Sequence, residues 1–497
     1  MPTREEELYQ ERVAKLQRLR DRGIDPFPAR YNRTHSSVKA VAAFEAWEKD
    51  PKGDAPAPNV AGRITAMRTM GKVIFVDLRD GDGRIQVLVR TNGVPEADLE
   101  TLKDCDLGDI IGTQGPLFRT RTGEVTVEAT GITMLAKALQ APPEKWHGLQ
   151  DVEQRYRQRY RDLMANEEVR DIFKKRAAIV AAMRRYLDGR GFMEVETPVL
   201  QPEAGGAAAT PFVTHHNALD QDFVLRISLE LHLKRLLVGG FDKVYEIGRI
   251  FRNEGVSTKH NPEFTMLECY EAYADYNEVM RMVEEMVSTI ATTVLEGETR
   301  VRFEDHEIDF TPPWRRVTMR DALIEEAGLD ITEFSTRDTL YEELQRRHVP
   351  DLEPGFSWGK LIDEAVSYYV EPKLIQPTFL TDYPKEISPL AKSKPGEPGI
   401  VERFECFIAG FEMGNAYSEL NDPLDQRERF ETQRRLAAAG LEEVETLDED
   451  FIVALEHGMP PTGGLGIGID RLTMILTGQR SIREVILFPA LRRLPGQ

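Results

Sequence analysis

Cysteine is almost missing from this 497-residue chain: only Cys105, Cys269 and Cys406 occur, far apart and with no CxxC pair. That excludes a disulfide framework and a thiolate-ligated zinc site. Histidine is sparse too. The nine residues include the adjacent pair His215-His216 but no HExxH motif, so a histidine metal centre is not indicated. No apolar run approaches the roughly 20 residues of a membrane helix. The amino terminus, polar and acidic from Met1 to Gln10, is not that of a signal peptide. The expectation is a cytoplasmic protein with no membrane partner. Basic charge is in deficit. A formal net charge of −20 argues against non-specific nucleic-acid binding by the whole surface, although it permits a local basic face. The usual phosphate cradles are absent as well. Neither Gly71-Lys72 nor Gly359-Lys360 is preceded by the glycine that a P-loop demands, and GLGIGID at 464–470 departs from GxGxxG.

What is present is a globular composition, 41% hydrophobic and 30% charged, over a length that suggests about three domains. Residues 4–22 read as a helix stopped by Gly23, ahead of Pro26 and Pro28. Residues 1–58 are read as an N-terminal helical extension, closed by the linker-like PKGDAPAP at 51–58. Five strand-like runs follow, near 60–70, 73–80, 83–90, 109–119 and 124–135, separated by turns such as Gly81-Asp82-Gly83 and Thr122-Gly123. Such a series predicts a small barrel over 59–137, with an OB-fold the leading form. In the second run Ile74, Val76 and Leu78 alternate with Phe75, Asp77 and Arg79. Phe75 therefore falls on the polar face, near Gln86 of the next run. Stacking on a nucleic-acid base or cover by the N-terminal helices would each account for it. Residues 138–163 read as a polar connector holding the basic stretch RYRQRYRD. The basic excess between Lys145 and Arg190 suits either RNA or an ordinary solvated helix face. A long helix at about 167–189, ended by Gly191, opens a mixed domain over 164–497, in which a helix-rich stretch near 312–370 looks inserted between strand-rich blocks.

The densest chemistry lies in VYEIGRIFRNEGVSTKHNPEFTMLECYEAYADY at 244–276, which reads as strand, loop, strand. With a period of two, Arg252 and Glu254 share one face of the first strand, and Phe264, Glu268 and Tyr270 share one face of the second. Arginine forks onto phosphate or carboxylate and phenylalanine stacks on a purine. The pattern suits a charged, planar ligand; an ion-paired sheet surface would use the same residue types. FRNEG at 251–255 and HNPEFTMLE at 260–268 together resemble the second signature motif of class II aminoacyl-tRNA synthetases. GLGIGIDRL at 464–472 resembles the third. The long helix followed by GFMEVETPVL at 191–200, with its Pro198, resembles the first. The three stand in order behind the predicted barrel, and the resemblance runs from about residue 60 to the end.

The resemblance implies an α+β protein: an N-terminal OB-fold β-barrel plus a class II catalytic domain built on an antiparallel sheet flanked by helices. Barrel-bearing members act on lysine, aspartate or asparagine. MGNAYSELNDP at 413–423 is similar to the lysine branch, as are GGAAATPFVTHHNALD at 205–220, ISLELHLKRL at 227–236 and TDYPKEISPLAK at 381–392. Asn415, Tyr417 and Glu419 share a face, and a substrate ammonium needs a carboxylate because a buried, unpaired charge costs on the order of several kcal/mol. Two positions depart from the branch: Thr210, where it is usually basic, and Leu229, where it often has proline.

Carried over residue by residue, the resemblance makes Arg252 and Arg471 the catalytic pair. Arg252 would bind the α-phosphate and the amino-acid carboxylate, Glu254 would face the adenine amino group, and Phe264 would stack on the adenine. His260 and Arg471 would hold the outer phosphates. Glu405 and Glu412 would hold Mg2+, a hard cation suited to oxygen ligands, although carboxylates beside a turn are also common surface features. Gly206 and Glu230 would take the α-amino group of L-lysine. Tyr270 and Glu419 would take its ε-ammonium, with Tyr417 alongside and Asn415 near its carboxylate. Arg68, Phe75 and Gln86 would read the U-rich anticodon of tRNA(Lys). ATP, lysine and tRNA would be the partners, and the first motif would build a homodimer. The alternatives are an aspartate- or asparagine-type enzyme, a non-catalytic RNA-binding paralogue, and a relative that modifies a protein. Against the first stands the Glu419 strand, since an aspartate pocket would need an arginine or lysine in place of Glu419. The second would have lost Arg252, Arg471 or the metal carboxylates. The third would lack the barrel.

Overall fold

The computed structural model describes residues 3–143, 149–438 and 448–494, and the chain divides into two compact units, Met1–Gln150 and Asp151–Gln497.

The first unit is the OB-fold barrel with its N-terminal helices. Its strands are β1 (Asn59–Met70), β2 (Val73–Arg79), β3 (Arg84–Arg90), β4 (Ile110–Gln114), β5 (Leu117–Arg119), β6 (Val125–Glu128) and β7 (Gly131–Ala136), in the order β5-β6-β3-β2-β1-β4-β7. β1 pairs with β2 along its second half and with β4 along its first, and β6 runs parallel to β3. Each of the last two predicted runs is broken in two, and the breaks face each other. Pro116 carries no N–H, and a Cβ on Gly115 would lie 1.8 Å from the Glu128 carbonyl oxygen. Thr130 N–H donates to the Gln114 carbonyl at 2.8 Å and Glu128 N–H to the Pro116 carbonyl at 2.9 Å, so the seam stays hydrogen-bonded. A helix at Glu96–Lys103 fills the β3–β4 connection; no strong periodicity announces so short an element. The N-terminal helices, Arg4–Asp21 and Ser37–Lys49, send Leu19, Ala40 and Phe44 into the same core as Ile64, Val76, Leu78 and Val127. Extension and barrel therefore form one compact unit.

The second unit is built on a sheet in the order β16-β17-β19-β20-β21-β13-β12-β8, with β18 pairing to β19. Its strands are β8 (Met193–Glu194), β12 (Lys243–Phe251), β13 (Glu263–Ala272), β16 (Arg315–Thr318), β17 (Thr378–Pro384), β18 (Ser393–Lys394), β19 (Glu397–Ile408), β20 (Phe411–Ser418) and β21 (Thr462–Gly468). A small sheet of β9 (Leu200–Gln201), β10 (Val213–His216) and β11 (Gln221–Leu225) and a hairpin of β14 (Arg300–Phe303) and β15 (His306–Asp309) complete the set. The large sheet is antiparallel except where β8 meets β12 and β16 meets β17. Helices Glu167–Gly189 and Tyr276–Val294 cover one face: Ile179, Met183, Leu187, Val283 and Ile290 pack on Leu267, Cys269, Leu465 and Ile467. The period of two sends Met266, Glu268 and Tyr270 to the other face, where Tyr270 belongs to one buried cluster with Leu233, Leu237, Phe430 and Phe451. The candidate residues Glu268 and Tyr270 lie on that face. Among the described residues no helix is long and apolar enough to cross a membrane.

Two expectations change. The connector predicted at 138–163 lies partly outside the described residues, at 144–148, and its far end is helical, with helices at Val152–Arg157 and Arg159–Ala165. Its basic stretch is consumed internally: Arg159 is buried against Asp162 at 2.6 Å, and Arg155 meets Asp162 and Glu484, both at 2.9 Å. The stretch near 312–370 is a crossover within the sheet. It starts with β16 on the sheet edge, and its helices share a core with Leu380 and Tyr383 of β17 and Val401 of β19.

The barrel seam gives a direct test. Replacing Gly115 by alanine forces a methyl group onto the Glu128 backbone and should destabilise the first unit by about 2–4 kcal/mol. Calorimetry of the full chain reads this as an earlier transition; an unchanged melting profile would mean the seam has slack.

Candidate active site

Three neighbouring strands, β13, β21 and β20, form the floor of the site. Their register sets Glu268, Gly466 and Asn415 in one row and Tyr270, Gly464 and Tyr417 in the next. The middle strand supplies glycine at both crossings for a steric reason. A Cβ on Gly464 would lie 1.8 Å from Glu419 Oε1 and 2.7 Å from the Tyr270 ring, and one on Gly466 would lie 3.1 Å from Met266. Side chains of the flanking strands thus lie across bare backbone, which a small ligand can approach closely.

Glu268 is buried in the first row. Ser228 Oγ and the Leu229 N–H donate to its Oε1 at 3.0 and 2.9 Å, and the Tyr270 hydroxyl donates to its Oε2 at 3.0 Å. Burial, then the neighbouring Glu230 charge, push its pKa up to about 7 against the pull of these donors. Leu229 stands where the resemblance favours proline. A proline has no N–H to give, so the departure supplies Glu268 with a hydrogen bond.

Glu230 opens the helix Glu230–Val238, its N–H donating to Ser228 Oγ at 3.1 Å. The i,i+4 spacing puts Lys234 on the same face. The Lys234 ammonium is fully buried and pairs with both Glu230 and Glu419. It also stands over the Tyr417 and Phe451 rings, 5.4 and 5.8 Å from their centroids. The Tyr417 hydroxyl donates to Glu230 at 2.6 Å. Burial drives the Glu419 carboxyl well above the ordinary range, Lys234 opposes this, and Glu230 adds to it. Gly206, at φ +80°, presses its backbone against the helix start: a Cβ there would stand 3.0 Å from Ser228 Oγ and 3.1 Å from Glu230 Cβ. Gly206, Glu230, Tyr270, Tyr417 and Glu419 therefore converge, with Asn415 one row along. Lys234 was not foreseen; its spacing from Glu230 in ELHLK was the available signal.

The opposite end is basic. β12 stops at Phe251, so Arg252 and Glu254 lie in the loop to β13 and do not share a strand face as the period-two reading expected; pairing has ended before a segment holding Gly255 and Pro262. Arg252 is tethered by its N–H to the Pro262 carbonyl at 2.9 Å, and its guanidinium lies 5.3 Å from the centroid of Phe264. Glu254 is exposed. Arg471 stands in the first turn of the helix Ile469–Thr477. One of its Nη atoms donates to the Glu412 carbonyl at 2.6 Å and reaches that residue's Oε2 at 3.2 Å; the other lies 3.3 Å from His260 Nε2. Partial burial, then the Arg471 charge, hold the His260 imidazole below its ordinary range. The neighbouring Asp470 takes the Thr265 N–H at 2.7 Å and Arg176 at 2.6 Å, locking this helix start to β13.

Glu405 on β19 and Glu412 on β20 flank the turn at Ala409-Gly410. A register shift between Cys406 and Phe407 pairs Glu405 with Asn415 and Glu412 with Phe407. Burial, then the Glu412 charge, raise the Glu405 pKa to about 8, while Arg403, 2.6 Å away, opposes. Two mutually repelling carboxylates are a fitting donor pair for a hard cation. Mg2+ commonly takes one or two carboxylates and completes its shell with substrate phosphates and water. Among the described residues no group of three or more acidic, histidine or cysteine side chains could hold a metal, so phosphates would have to share the ligation. Arg403 is a second residue that sequence reasoning missed. It donates to Asn415 Oδ1 at 3.0 Å as well as to Glu405, joining the two rows.

In the barrel, Arg68 lies opposite Phe75 across β1 and β2, and Gln86 lies opposite Asp77 across β2 and β3. Asp77 is buried and draws in Arg68 at 3.4 Å and Arg84 at 3.8 Å. Phe75 is half-buried and stands outside the barrel core. Gln86 is itself buried, and its Oε1 accepts from Thr126 Oγ1 at 3.0 Å, which leaves its amide NH2 to offer.

Sequence comparison identifies the family. Residues 151–492 match the family of tRNA synthetases class II (D, K and N), and residues 59–135 match the OB-fold nucleic acid binding domain. The chain belongs to the class II tRNA synthetases of that group. Its relatives narrow the group to one branch. The chain is 57% identical over 489 residues to the lysine–tRNA ligase of Dehalococcoides mccartyi, covering 98% of each protein. It is 53% identical to that of Roseiflexus castenholzii, covering 98% of this chain and 99% of the relative. It is 52% identical to that of Chloroflexus aurantiacus, covering 98% of each.

Leu229→Pro removes one donor from the Glu268 carboxylate. A hydrogen bond to a charged group is worth about 1.5–3 kcal/mol, so the Glu268 pKa should rise by about one unit or more. An ionised Glu268 is lost as pH falls through that value. The acid limb of amino-acid-dependent pyrophosphate exchange should therefore move to higher pH; an unmoved limb would show that Glu268 does not govern it.

Proposed function

We propose that the protein is a lysine–tRNA ligase. It activates L-lysine with ATP to lysyl-adenylate and pyrophosphate, then transfers lysine to the 3′-terminal adenosine of tRNA(Lys). The observation that carries this reading is the buried acidic end of the site, where Glu230, Glu268 and Glu419 converge on Tyr270, Tyr417 and the Gly464 backbone. Lysine brings two ammonium groups and so fits there. Aspartate would add a further carboxylate to three, and Lys234, the one cation that pairs with them among the described residues, is already engaged twice.

The chemistry follows from the opposed ends. The ammonium groups point lysine's carboxylate away from the acidic cluster and towards Arg252. Adenine stacks on Phe264, beside which the Arg252 guanidinium already lies, with Glu254 at its amino group. His260 and Arg471 hold the outer phosphates. The lysine carboxylate oxygen attacks the α-phosphorus and pyrophosphate leaves. The tRNA's terminal 3′-hydroxyl then attacks the activated carbonyl, and AMP leaves. The nucleophiles come from the substrates, so the protein's part is positioning and neutralisation of charge. Glu405 and Glu412 would hold Mg2+, which would supply further charge neutralisation at the phosphates. Arg68, Phe75 and Gln86 bind splayed anticodon bases, as single-stranded RNA is commonly read. The chain works in the cytoplasm as a homodimer. The exposed apolar side chains Met193, Val199 and Leu200 of the first motif support that assembly.

Pyrophosphate exchange with all twenty amino acids, Mg2+ and no tRNA should respond to lysine alone; a response to aspartate or asparagine instead would overturn the pocket. Glu419→Gln should cut lysine-dependent exchange by about 100-fold or more, since breaking a buried ion pair costs about 3–5 kcal/mol, while ATP binding persists. In the barrel, Phe75→Ala should lower tRNA charging by about tenfold, from the roughly 1–3 kcal/mol of one stacking contact, with exchange untouched. Equal loss of both activities would make Phe75 a structural residue.

A further inference from the structure

We propose that Lys234 is a positioning residue of the lysine site, its ammonium pairing Glu230 and Glu419 so that both carboxylates are presented to the two ammonium groups of the substrate. The inference rests on the lysine reading and adds a residue to it. Lys234 lies one helical turn beyond Glu230, is fully buried, and reaches across to Glu419, which follows β20. No other cation meets these two carboxylates among the described residues.

Charge accounting gives the pair its purpose. Glu230, Glu268 and Glu419 are three buried carboxyl groups in one cluster; when all three are ionised, Lys234 cancels one charge and leaves two, one for each ammonium of lysine. A cavity that held all three without Lys234 would take up protons, because burial and mutual repulsion both favour the neutral acids. Glu419 is the group most exposed to that outcome. Lys234 and Glu230 face it from the helix, Glu268 and Tyr270 from β13, and Tyr417 from β20; the two carboxylates favour its neutral form and Lys234 favours its ionised form. Stability alone does not call for the arrangement, since a well-packed apolar group often serves a core as well as a buried ion pair. Placement matters equally. Gly464 clears the space in which the Glu419 carboxylate lies, and Lys234 holds it there from the opposite side.

The test compares wild type, Lys234→Met and Lys234→Arg by lysine-dependent pyrophosphate exchange across pH. Lys234→Met should raise the lysine KM at neutral pH by about tenfold or more and move the acid limb of kcat/KM for lysine up by about one pH unit, the KM for ATP staying within about twofold. Lys234→Arg keeps the charge and should keep the limb where the wild type has it. An unchanged lysine KM and limb in Lys234→Met overturns the inference, as does an equal displacement in both variants, which would assign the effect to packing. Absence of lysine-dependent exchange in the wild type would overturn the functional reading itself, and the inference with it. Should Lys234→Met not fold, the wild-type protein gives the same answer. The Lys234 15Nζ resonance, identified by its loss in Lys234→Arg, should shift on saturation with lysine and not with ATP; indifference to lysine overturns the proposal.

Discussion

Like charges cannot be gathered in a dry space unless each is given a partner, and this constraint organises the catalytic unit. Bringing a carboxylate out of water costs on the order of several kcal/mol. The site buries Glu230, Glu268 and Glu419 within one cluster and answers each. Ser228, Leu229 and Tyr270 donate to Glu268, Tyr417 donates to Glu230, and Lys234 bridges Glu230 and Glu419. These donors come from a helix start, from β13, from β20 and from the helix interior. Charge thus adds directional constraints to an alignment that apolar packing alone would leave looser.

The large sheet serves this purpose through its two unlike faces. One is an ordinary core beneath two long helices. The other sets acidic groups at one end and Arg252, His260 and Arg471 at the other, with a glycine strand between them. An amino acid carries the same separation of charge within its own length. On the proposed reading the site orients such a substrate before any bond changes, and the proposed catalysis draws on that prior order.

Much of this was legible in the residues. The five-run pattern and the Gly-Asp-Gly turn announced the barrel, and the alternation in β2 put Phe75 outside the core. The motif blocks brought together Glu230, Tyr270, Tyr417 and Glu419 from positions nearly two hundred residues apart, which no local periodicity could have done. What escaped was of another kind. Lys234 and Arg403 look like surface cations in sequence, because their burial follows only from the elements packed over them. Arg252 and Glu254 were placed on a strand because a period of two does not say where pairing stops. The helix at Glu96–Lys103 is too short to show a pattern, and the arginines of RYRQRYRD read as a basic face because their pairing with Asp162, and that of Arg155 with the distant Glu484, follows only from the fold. The departure at Leu229 was visible, but its meaning depended on Glu268 lying opposite its N–H.

The crossover from β16 to β17 has a consequence for the making of the protein. Chain is synthesised from the amino terminus, and domains fold as their segments emerge. Glu230, Lys234 and Glu268 are complete long before Glu419 and Gly464, and the whole edge of the sheet from β16 to β19 is laid down between them. During that interval Glu230, Lys234 and Glu268 exist without the strands that enclose them. Contacts so distant in sequence close slowly. The proposed pocket is thus among the last parts of the molecule to close, and a truncated chain ending before β20 carries its first two signature motifs but lacks Glu419 and Gly464.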